Sequence, residues 1–472
     1  MTPRKPQPTR DALLRHVRPS DLQAAVRLAT QATTGVIGVA EGVHQAVRQR
    51  LGLPAGAEPD RTGGLTGQIY QGIRGVTQLV GHGLDSALAS LLPLVDDPAN
   101  HPEPSPGREA VLAALNGVLG DRLQATGNPL AQAMELRLAG RRLPLESASL
   151  MRERLAGASP HLIVLLHGLC MNDTQWLRNG HDHGAFLAQA LGATPVYLRY
   201  NSGLHTSTNG REFARQLEWL VSQWPVPLTT ITLVGHSMGG LVARAACDEA
   251  QRSQHRWRAQ LQHLICVGTP HHGAPLERAG HGVDVLLAAT PFTAPFTRLG
   301  QLRSAGITDL RHGHVRDADW QGRERFGSAV DHREPLPLPE GVACMAVGAT
   351  LAPQRGLLAD RLTGDGLVPL RSALGQHDDP RHRLVFPREG QRTVYRTGHL
   401  ELLSSPVVAE QLRAWLAPAV VEAASPSPGM SASRGSRPMR IFVPGINSKS
   451  SSHFAIKCDS SPRRSATCGR AP

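Results

Sequence analysis

The sequence predicts an α/β fold, in which a mostly parallel sheet carries helices on both faces. Short, continuous apolar runs recur from about residue 160 onward, as in HLIVLLHG, TPVYLRY and HLICVGTP. A stretch with helical periodicity separates each run from the next. Strands that are buried on both faces appear as unbroken apolar runs, because the crossover helices cover the sheet above and below. The alternation of the two patterns therefore indicates a parallel sheet.

Composition indicates a globular protein with a basic C-terminal segment. Hydrophobic residues make up 40% of the 472 residues, which is enough for a sizeable core. The formal net charge is +12, but residues 434–472 alone contain eight Lys or Arg and a single Asp. The rest of the chain is nearly balanced in charge. We therefore expect no nucleic-acid partner.

The sequence pattern divides the chain into four parts. Residues 1–19 are polar and Pro-rich, and we expect them to be disordered. Residues 20–130 predict a helical N-terminal extension, and 131–420 predict the sheet domain, which starts with a hairpin at its edge. Within that domain, 274–340 interrupts the rhythm of strands and helices, and its length predicts a cap over the site. Residues 421–472 predict a disordered, low-complexity basic tail.

The predicted extension contains three helical stretches, the third at about 108–125. The first two carry internal glycines at 35, 38 and 42 and at 72, 75, 81 and 83. An internal glycine costs about 1 kcal/mol relative to alanine, so this number of glycines indicates close helix–helix contact. Two interpretations remain open. The pair is either a hairpin packed on the sheet domain or an amphipathic pair in peripheral contact with a membrane.

The cysteines and the N-terminus favour a cytoplasmic location. The six cysteines form no C-x-x-C pair, and no spacing suggests zinc. Cys247, Cys266 and Cys344 lie in apolar runs, which indicates reduced core thiols. The basic N-terminus is not followed by an apolar segment, so we expect no signal peptide. No stretch of 18 residues lacks polar groups, so we expect no membrane span.

The segment Gly235-His236-Ser237-Met238-Gly239-Gly240 is the clearest signal for chemistry. It follows the apolar strand at 230–234 and precedes the helical stretch LVARAACDEA. A strand–turn–helix elbow of this kind holds its serine in a strained backbone, and the flanking glycines let strand and helix approach closely. The elbow lifts the hydroxyl above the sheet at a helix N-terminus, where developing negative charge is favoured. We predict that Ser237 is a nucleophile rather than part of an ordinary tight turn.

The segment His167-Gly168-Leu169 ends the strand LIVLL and predicts an oxyanion site. Where a serine elbow is present, this loop and the residue after the nucleophile each supply a backbone N–H. We assign these donors to Leu169 and Met238, each contributing on the order of 3 kcal/mol to transition-state binding. His167 is expected to order the loop rather than to react. The alternative is that the segment is only a turn that ends the strand.

Asp365 and His399 complete the predicted site. Asp365 stands between two glycines in TGDGLVP, on a loop that leaves the sheet and can turn a carboxylate toward a histidine. His399 lies in GHLELL, after the last strand and at the start of the predicted final helix. The order Ser237, Asp365, His399 is that of the Ser–Asp–His triad on such a sheet. The competing candidates for the acid are Asp360, Asp378 and Asp379.

These motifs resemble the lipase and esterase branch of the α/β-hydrolase superfamily, close to GPI inositol-deacylase-like esterases. The matching segments are HGL at 167–169, GHSMGGLVAR at 235–244, GTPHHGAP at 268–275, GDGLVPLRSALG at 364–375 and GHLELL at 398–403. The resemblance implies an α/β-hydrolase fold and a serine hydrolase that cleaves carboxylic esters of hydrophobic substrates through an acyl-enzyme. It implies no cofactor. The eukaryotic deacylases are membrane-anchored, and because this sequence predicts no span, it does not predict a GPI substrate.

Several alternatives remain open at this stage. The same triad serves acyltransferases and thioesterases, and a non-catalytic scaffold could retain the fold. A metal site from His271 and His272 with His181 and His183 would lack a carboxylate or cysteine to complete it, so we expect no metal. The apolar candidates for the cap are Val285, Leu286, Leu287, Phe292 and Phe296. The sequence indicates neither the acyl and alcohol groups nor the oligomeric state.

Overall fold

An eight-stranded sheet forms the centre of the described chain. The computed structural model describes residues 106–274, 303–323, 331–354 and 364–417 and the single positions 23, 27, 30 and 71. The strands are β1 (Glu135–Leu138), β2 (Arg141–Arg142), β3 (His161–Leu166), β4 (Thr194–Arg199), β5 (Thr230–His236), β6 (Leu261–Val267), β7 (Ala343–Thr350) and β8 (Gln391–Tyr395). Their spatial order is β2-β1-β4-β3-β5-β6-β7-β8. Strands β3 to β8 run parallel, and β1 is antiparallel to both β2 and β4. The predicted mostly parallel sheet with an edge hairpin is confirmed.

Helices cover both faces of this sheet. They are α1 (Pro106–Ala125), α2 (Ala148–Arg154), α3 (His183–Leu191), α4 (Thr206–Ser222), α5 (Met238–Arg252), α6 (Ala305–His312), α7 (Leu370–Ala373) and α8 (Pro406–Leu416). Leu162, Val164 and Leu166 of β3 share one core with α1, α4 and α5. Ile163 and Leu165 share another with α3 and α8. Because both faces of the strand are buried, its sequence is an unbroken apolar run.

The last helix begins later than the sequence predicts. After His399 the chain first makes a short 3-10 turn at Glu401–Leu403, and α8 starts only at Pro406. The Ser405 side chain caps α8 by accepting a hydrogen bond from the Val408 backbone N–H. A proline at the first helical position is well tolerated, because the N–H that it lacks would have no partner inside the helix. His399 therefore lies on a loop that leads into the helix.

Helix α1 packs directly on the sheet. It corresponds to the third helical stretch of the predicted N-terminal extension and contributes buried side chains to the core around β3 and α4. These are Ala114, Leu115, Val118, Leu119 and Leu123. Apart from the four single positions, the remainder of the predicted extension, the first 19 residues and the predicted tail at 421–472 lie outside the described residues.

The cysteines within the described ranges are all buried free thiols, namely Cys170, Cys247, Cys266 and Cys344. None of the helices in the described ranges combines the length and the apolar character that a bilayer crossing requires.

Part of the segment predicted as a cap is fixed to the body by a buried carboxylate. Asp309 lies on α6 and is fully buried. It accepts hydrogen bonds from the Thr206 backbone N–H at 2.7 Å, from His205 Nδ1 at 3.0 Å and from His314 Nδ1 at 3.2 Å. The His205 ring also stacks on Trp320, with centroids 3.6 Å apart. Asp309 thus caps the N-terminus of α4. The apolar cap candidates Val285, Leu286, Leu287, Phe292 and Phe296 lie outside the described residues.

Replacing Asp309 with alanine should lower the free energy of unfolding by about 3 kcal/mol at neutral pH, because three donors lose a charged acceptor. Burial alone would raise the pKa of Asp309, but the hydrogen bonds from His205 and His314 outweigh it and hold that pKa below its ordinary value. The ionised Asp309 carboxylate therefore stabilises the fold fully at pH values above the ordinary aspartate pKa. This stabilisation is lost as the pH falls through the lowered pKa that Asp309 has in the folded protein. Urea unfolding of the wild type and of Asp309→Ala at neutral and acidic pH measures this difference in the free energy of unfolding.

The matched control for this variant is Asp317→Ala. Asp317 lies close by in the chain, but its side chain is 35% exposed and pairs with Arg211 at the surface. Its loss should change stability by less than about 0.5 kcal/mol. Equal losses in the two variants would contradict the account of Asp309.

Candidate active site

Ser237 occupies a strained turn between β5 and α5. Its backbone has φ 54° and ψ −124°, a left-handed conformation that non-glycine residues rarely adopt. An added Cβ at Gly235 would lie 2.4 Å from the Gly240 nitrogen, and one at Gly239 would lie 2.2 Å from the Leu166 carbonyl oxygen. Side chains at these positions would separate the strand from the helix. The glycines of the motif are therefore explained by the close approach that the turn requires.

Asp365 and His399 form a buried hydrogen-bonded pair. His399 Nδ1 lies 2.7 Å from Asp365 Oδ2, with the two side chains 3% and 0% exposed. Asp365 Oδ1 accepts two backbone hydrogen bonds, from Leu367 at 3.0 Å and Val368 at 2.8 Å. The His399 backbone N–H in turn donates to the Asp365 carbonyl oxygen at 3.0 Å. This arrangement places the proton of the neutral ring on Nδ1 and leaves Nε2 as the acceptor.

The loop of Asp365 depends on the two glycines that flank it. Gly364 and Gly366 have φ of 41° and 94°, and an added Cβ at Gly364 would lie 2.0 Å from the Val368 carbonyl oxygen. The turn comes after strand β7 in the chain, and residues 355–363 between them lie outside the described residues. It directs the carboxylate toward His399, as the residue pattern predicts.

The other candidates for the acid have different partners or lie elsewhere. The Asp378 side chain is 88% exposed and pairs with Arg371 at 2.5 Å. Asp379 caps a short 3-10 turn and pairs with Arg381 at 2.7 Å. Asp360 lies outside the described residues. Of the four aspartates, Asp365 is the one that the described structure brings to His399.

His399 lies against His236, the residue that precedes Ser237. His236 Nε2 lies 3.2 Å from the His399 carbonyl oxygen, and the two rings have centroids 4.8 Å apart. Gly268 has φ 61°, and an added Cβ there would lie 2.9 Å from Leu402 Cδ1 and 3.2 Å from His399 Cε1, so a larger residue would be strained at this position. No hydrogen bond joins the Ser237 hydroxyl to another residue of the described ranges. Such bonds between nucleophile and base often tighten only when substrate is bound.

The loop after β3 passes directly over Ser237. An added Cβ at Gly168 would lie 3.0 Å from the Ser237 Cβ. Within the described part of the chain, the backbone N–H groups of Leu169 and Met238 donate to no protein acceptor. Met238 is the first residue of α5, where a free N–H and the helix dipole both favour an anion. Both N–H groups thus lie without a protein acceptor within the described ranges.

His167 orders this loop. Its Nδ1 donates to the Gly168 carbonyl oxygen at 2.8 Å, and its Nε2 accepts from the Tyr200 backbone N–H at 3.2 Å. The Tyr200 hydroxyl donates to the His167 carbonyl oxygen at 2.7 Å, and the two rings stack with centroids 4.1 Å apart. Burial lowers the pKa of His167 to about 4, so the ring is neutral at physiological pH. Both ring nitrogens are occupied, which leaves His167 unable to act as a base toward substrate.

Two histidines to which the sequence assigns no such role hold the loop of His399. His236 donates to the His399 carbonyl oxygen, and His183 Nε2 donates to the Leu402 carbonyl oxygen at 2.9 Å. The edge of Trp176 packs against both rings, at centroid distances of 6.3 and 6.4 Å. Burial lowers the pKa of His236 well below its usual range and that of His183 to about 4. These neutral rings act through backbone carbonyls, and no sequence pattern predicts such contacts.

Arg244 and His271 lie in the interior of the sheet domain. The Arg244 guanidinium is buried, donates to the Leu336 carbonyl oxygen at 2.7 Å and lies 3.4 Å from His271 Nδ1. Burial lowers the pKa of Arg244 to about 10 and that of His271 well below its usual range. A hydrogen bond of 2.9 Å joins His181 Nε2 to His183 Nδ1. Across the described ranges, no group of three or more His, Cys, Asp or Glu side chains could hold a metal ion.

Comparison with known proteins gives a family match over part of the chain. Residues 159–332 match the family model described as the PGAP1-like alpha/beta domain. No curated protein matches the chain.

The similarity to solved structures is distant. The Bacillus licheniformis lipase BlEst2 in its propeptide form is 16% identical, with 53% of this chain and 49% of that chain covered and a TM-score of 0.36. This chain therefore spans about half the length of that protein. The RedJ thioesterase of Streptomyces coelicolor is 17% identical, with coverage of 55% and 90% and a TM-score of 0.30. Phospholipase PlaB from Legionella pneumophila is 14% identical, with 45% of each chain covered and a TM-score of 0.30.

The family match begins just before β3 and includes β3 to β6, the Ser237 elbow and α6. It agrees with the resemblance that the motifs indicate. Residues 159–332 are therefore similar to the PGAP1-like α/β domain, and the mostly parallel sheet with helices on both faces is that of an α/β-hydrolase fold.

Proposed function

We propose that this protein is a serine hydrolase that cleaves carboxylic esters of hydrophobic, lipid-like substrates. The observation that carries the proposal is the buried hydrogen bond of 2.7 Å between Asp365 and His399, beside the strained turn of Ser237. A carboxylate that fixes one nitrogen of a histidine, next to a serine held above a sheet, is the arrangement that activates a hydroxyl as a nucleophile.

The proposed reaction begins with attack of Ser237 Oγ on the ester carbonyl carbon. His399 Nε2 takes the hydroxyl proton, and Asp365 stabilises the imidazolium and keeps the ring in the productive tautomer. The backbone N–H groups of Leu169 and Met238 bind the oxyanion of the tetrahedral intermediate. His399 then donates its proton to the alcohol as the C–O bond breaks, which leaves an acyl group on Ser237. Attack by water, with His399 as base again, releases the acid and restores the serine.

The surface beside the triad supports an apolar substrate. Leu351 follows β7 and is 54% exposed, although leucine is usually buried. Its methyl groups lie 3.5 Å from the position of an added Cβ at Gly366 and 3.8 Å from one at Gly398. These glycines adjoin Asp365 and His399. An aliphatic side chain therefore lies exposed beside the loops that carry Asp365 and His399, where the alkyl part of a substrate could cover it.

A panel of nitrophenyl esters with acyl chains of increasing length tests this proposal. We expect kcat/KM to rise from acetyl toward medium-length chains, because each methylene buried on binding contributes about 0.8 kcal/mol. The matched variant is Leu351→Ser, which should weaken this dependence on chain length while changing acetyl ester turnover by less than about threefold. A preference for acetyl over all longer esters would contradict a lipid-like substrate.

The same panel separates hydrolysis from acyl transfer. An acyltransferase would use the same triad, and added alcohol or thiol acceptors would then compete with water for the acyl-enzyme, whereas a thioesterase would release the same free acid from a thioester. We expect the free acid to remain the main product in the presence of such acceptors. A predominance of transfer product would assign the acyl-enzyme to an acyltransferase.

A further inference from the structure

Helix α1 contributes none of the proposed reacting groups, yet it contacts the loop that carries Leu169. The helix spans Pro106–Ala125 and precedes the matched domain at 159–332. An added Cβ at Gly117 would lie 2.3 Å from Cys170 Sγ and 2.8 Å from both the Cys170 nitrogen and Cα. Only a glycine at this position lets the helix approach the loop so closely. The contact lies one residue beyond the proposed oxyanion donor.

Cys170 adopts a backbone that needs support from its surroundings. It is a buried non-glycine residue with φ 59°, which is the left-handed region. Such conformations persist where neighbouring structure determines them. The Cys170 backbone N–H donates to Ser202 Oγ at 3.1 Å, and its Sγ lies 3.9 Å from the Ala114 carbonyl oxygen of α1. The turn at Cys170 is thus held between the 200–203 loop on one side and α1 on the other.

The far end of the loop is attached to α1 as well. The buried Asn172 side chain donates to the Glu109 carbonyl oxygen at 3.2 Å and lies 3.4 Å from Glu109 Oε2. The Glu109 carboxylate pairs with Arg199 at 2.5 Å, and Arg199 also pairs with Asp173, the residue after Asn172. All three charged side chains are at most 12% exposed. The loop is therefore fixed to α1 on both sides of its turn.

We propose that α1 is a positioning element of the oxyanion hole, in which Gly117 seats Cys170 and Glu109 holds Asn172. The inference rests on the proposed function. Because Gly168 lies against Ser237, a displacement of this loop moves the Leu169 N–H relative to the oxygen that it binds. Oxyanion donors must lie within about 3 Å of that oxygen, so even a small displacement weakens transition-state binding more than substrate binding. A helix outside the matched domain thereby controls a catalytic donor within it.

The test compares an ester with its thionoester in the full chain carrying Gly117→Ala. The added methyl group must push the loop away from α1. Sulfur is a weak hydrogen-bond acceptor, so the thionoester depends less on the oxyanion donors than the ester does. We expect the ratio of kcat/KM for ester over thionoester to fall at least about tenfold, with KM for the ester within about twofold. Cys170→Gly in the same chain removes Sγ and tolerates positive φ, and it should restore part of the ratio.

The matched control is Leu123→Ala on the same helix. Leu123 is fully buried and lies nearly two turns after Gly117, so its truncation lowers the melting temperature without reaching the loop. The ester-to-thionoester ratio should then remain at the wild-type value. If Gly117→Ala lowers the melting temperature and leaves this ratio unchanged, as Leu123→Ala does, α1 is only a core helix and the inference is wrong.

Two further outcomes are decisive. Should Gly117→Ala fail to fold, Glu109→Gln provides the same test, because it removes the pairing with Arg199 and leaves the apolar face of α1 intact. An unchanged ratio in Glu109→Gln would then overturn the inference. If Ser237→Ala retains ester turnover, the proposed serine hydrolase function itself is contradicted. If turnover depends on Ser237 but the ester-to-thionoester ratio of kcat/KM is unchanged in the α1 variants, only the proposed role of α1 is contradicted.

Discussion

Replacing Asp365 with asparagine is expected to lower kcat by roughly 10⁴-fold while leaving KM nearly unchanged. The carboxylate oxygen accepts the Nδ1–H of His399 at 2.7 Å. An amide in its place can present an N–H to the ring, which favours the tautomer with its proton on Nε2. That tautomer cannot take the proton of Ser237. Asp365 is not proposed to contact the substrate, so steady-state kinetics should show the loss in kcat alone.

The controls for Asp365→Asn are the same substitution at Asp378 and at Asp379. Both side chains form ion pairs with neighbouring arginines, Asp378 being 88% and Asp379 30% exposed. Exposed pairs of this kind contribute little, so each variant should lose less than about tenfold in turnover. A 10⁴-fold loss at either position, with Asp365→Asn near wild type, would reassign the acid and leave the nucleophile unaffected.

Replacing Ser237 with alanine should lower ester turnover by at least ~10³-fold. The reason is that no acyl-enzyme can form without the hydroxyl, and the oxyanion donors can then assist only direct attack by water. The fold should survive, because alanine is smaller and the Ser237 hydroxyl makes no hydrogen bond within the described ranges. Initial rates with a nitrophenyl ester, corrected for spontaneous hydrolysis, measure the loss.

Ser253→Ala is the matched control for the nucleophile. Ser253 caps the C-terminal end of α5, where its exposed hydroxyl donates to Glu249 at 2.7 Å. It stands on the same helix as the elbow but at the opposite end, so its turnover should equal that of the wild type. Equal losses in the two variants would indicate a general effect of serine substitution in this helix and would argue against Ser237 as nucleophile.

The sheet could be predicted because its signals are local. Strands such as β3 and β5 are buried on both faces, and their unbroken apolar runs mark them in the sequence. The two tight turns at Ser237 and Asp365 could also be predicted, because the glycines that flank these residues mark positions where a Cβ would not fit. The start of α8 was misplaced by several residues. There the capping serine and the following proline, rather than the apolar pattern, decide where the helix begins.

The supporting contacts of the site could not be predicted in this way. His183 reaches the Leu402 carbonyl oxygen across 219 positions of the chain, and Asn172 reaches Glu109 across 63. Neither contact leaves a periodic or spaced pattern, because each depends on how distant elements pack. The same holds for Gly117, which the sequence presents as an ordinary helical glycine. The close contact between Gly117 and Cys170 is visible only in the folded structure.

We propose that Ser237 is a nucleophile activated by His399 and Asp365. The most direct measurement is the intact mass of the protein after reaction with a fluorophosphonate, followed by peptide mapping of the adduct. We expect one adduct per chain, located on Ser237, with none in Ser237→Ala and much slower formation in Asp365→Asn. An adduct that persists with the same stoichiometry in Ser237→Ala, or that maps to another residue in the wild type, would contradict this proposal.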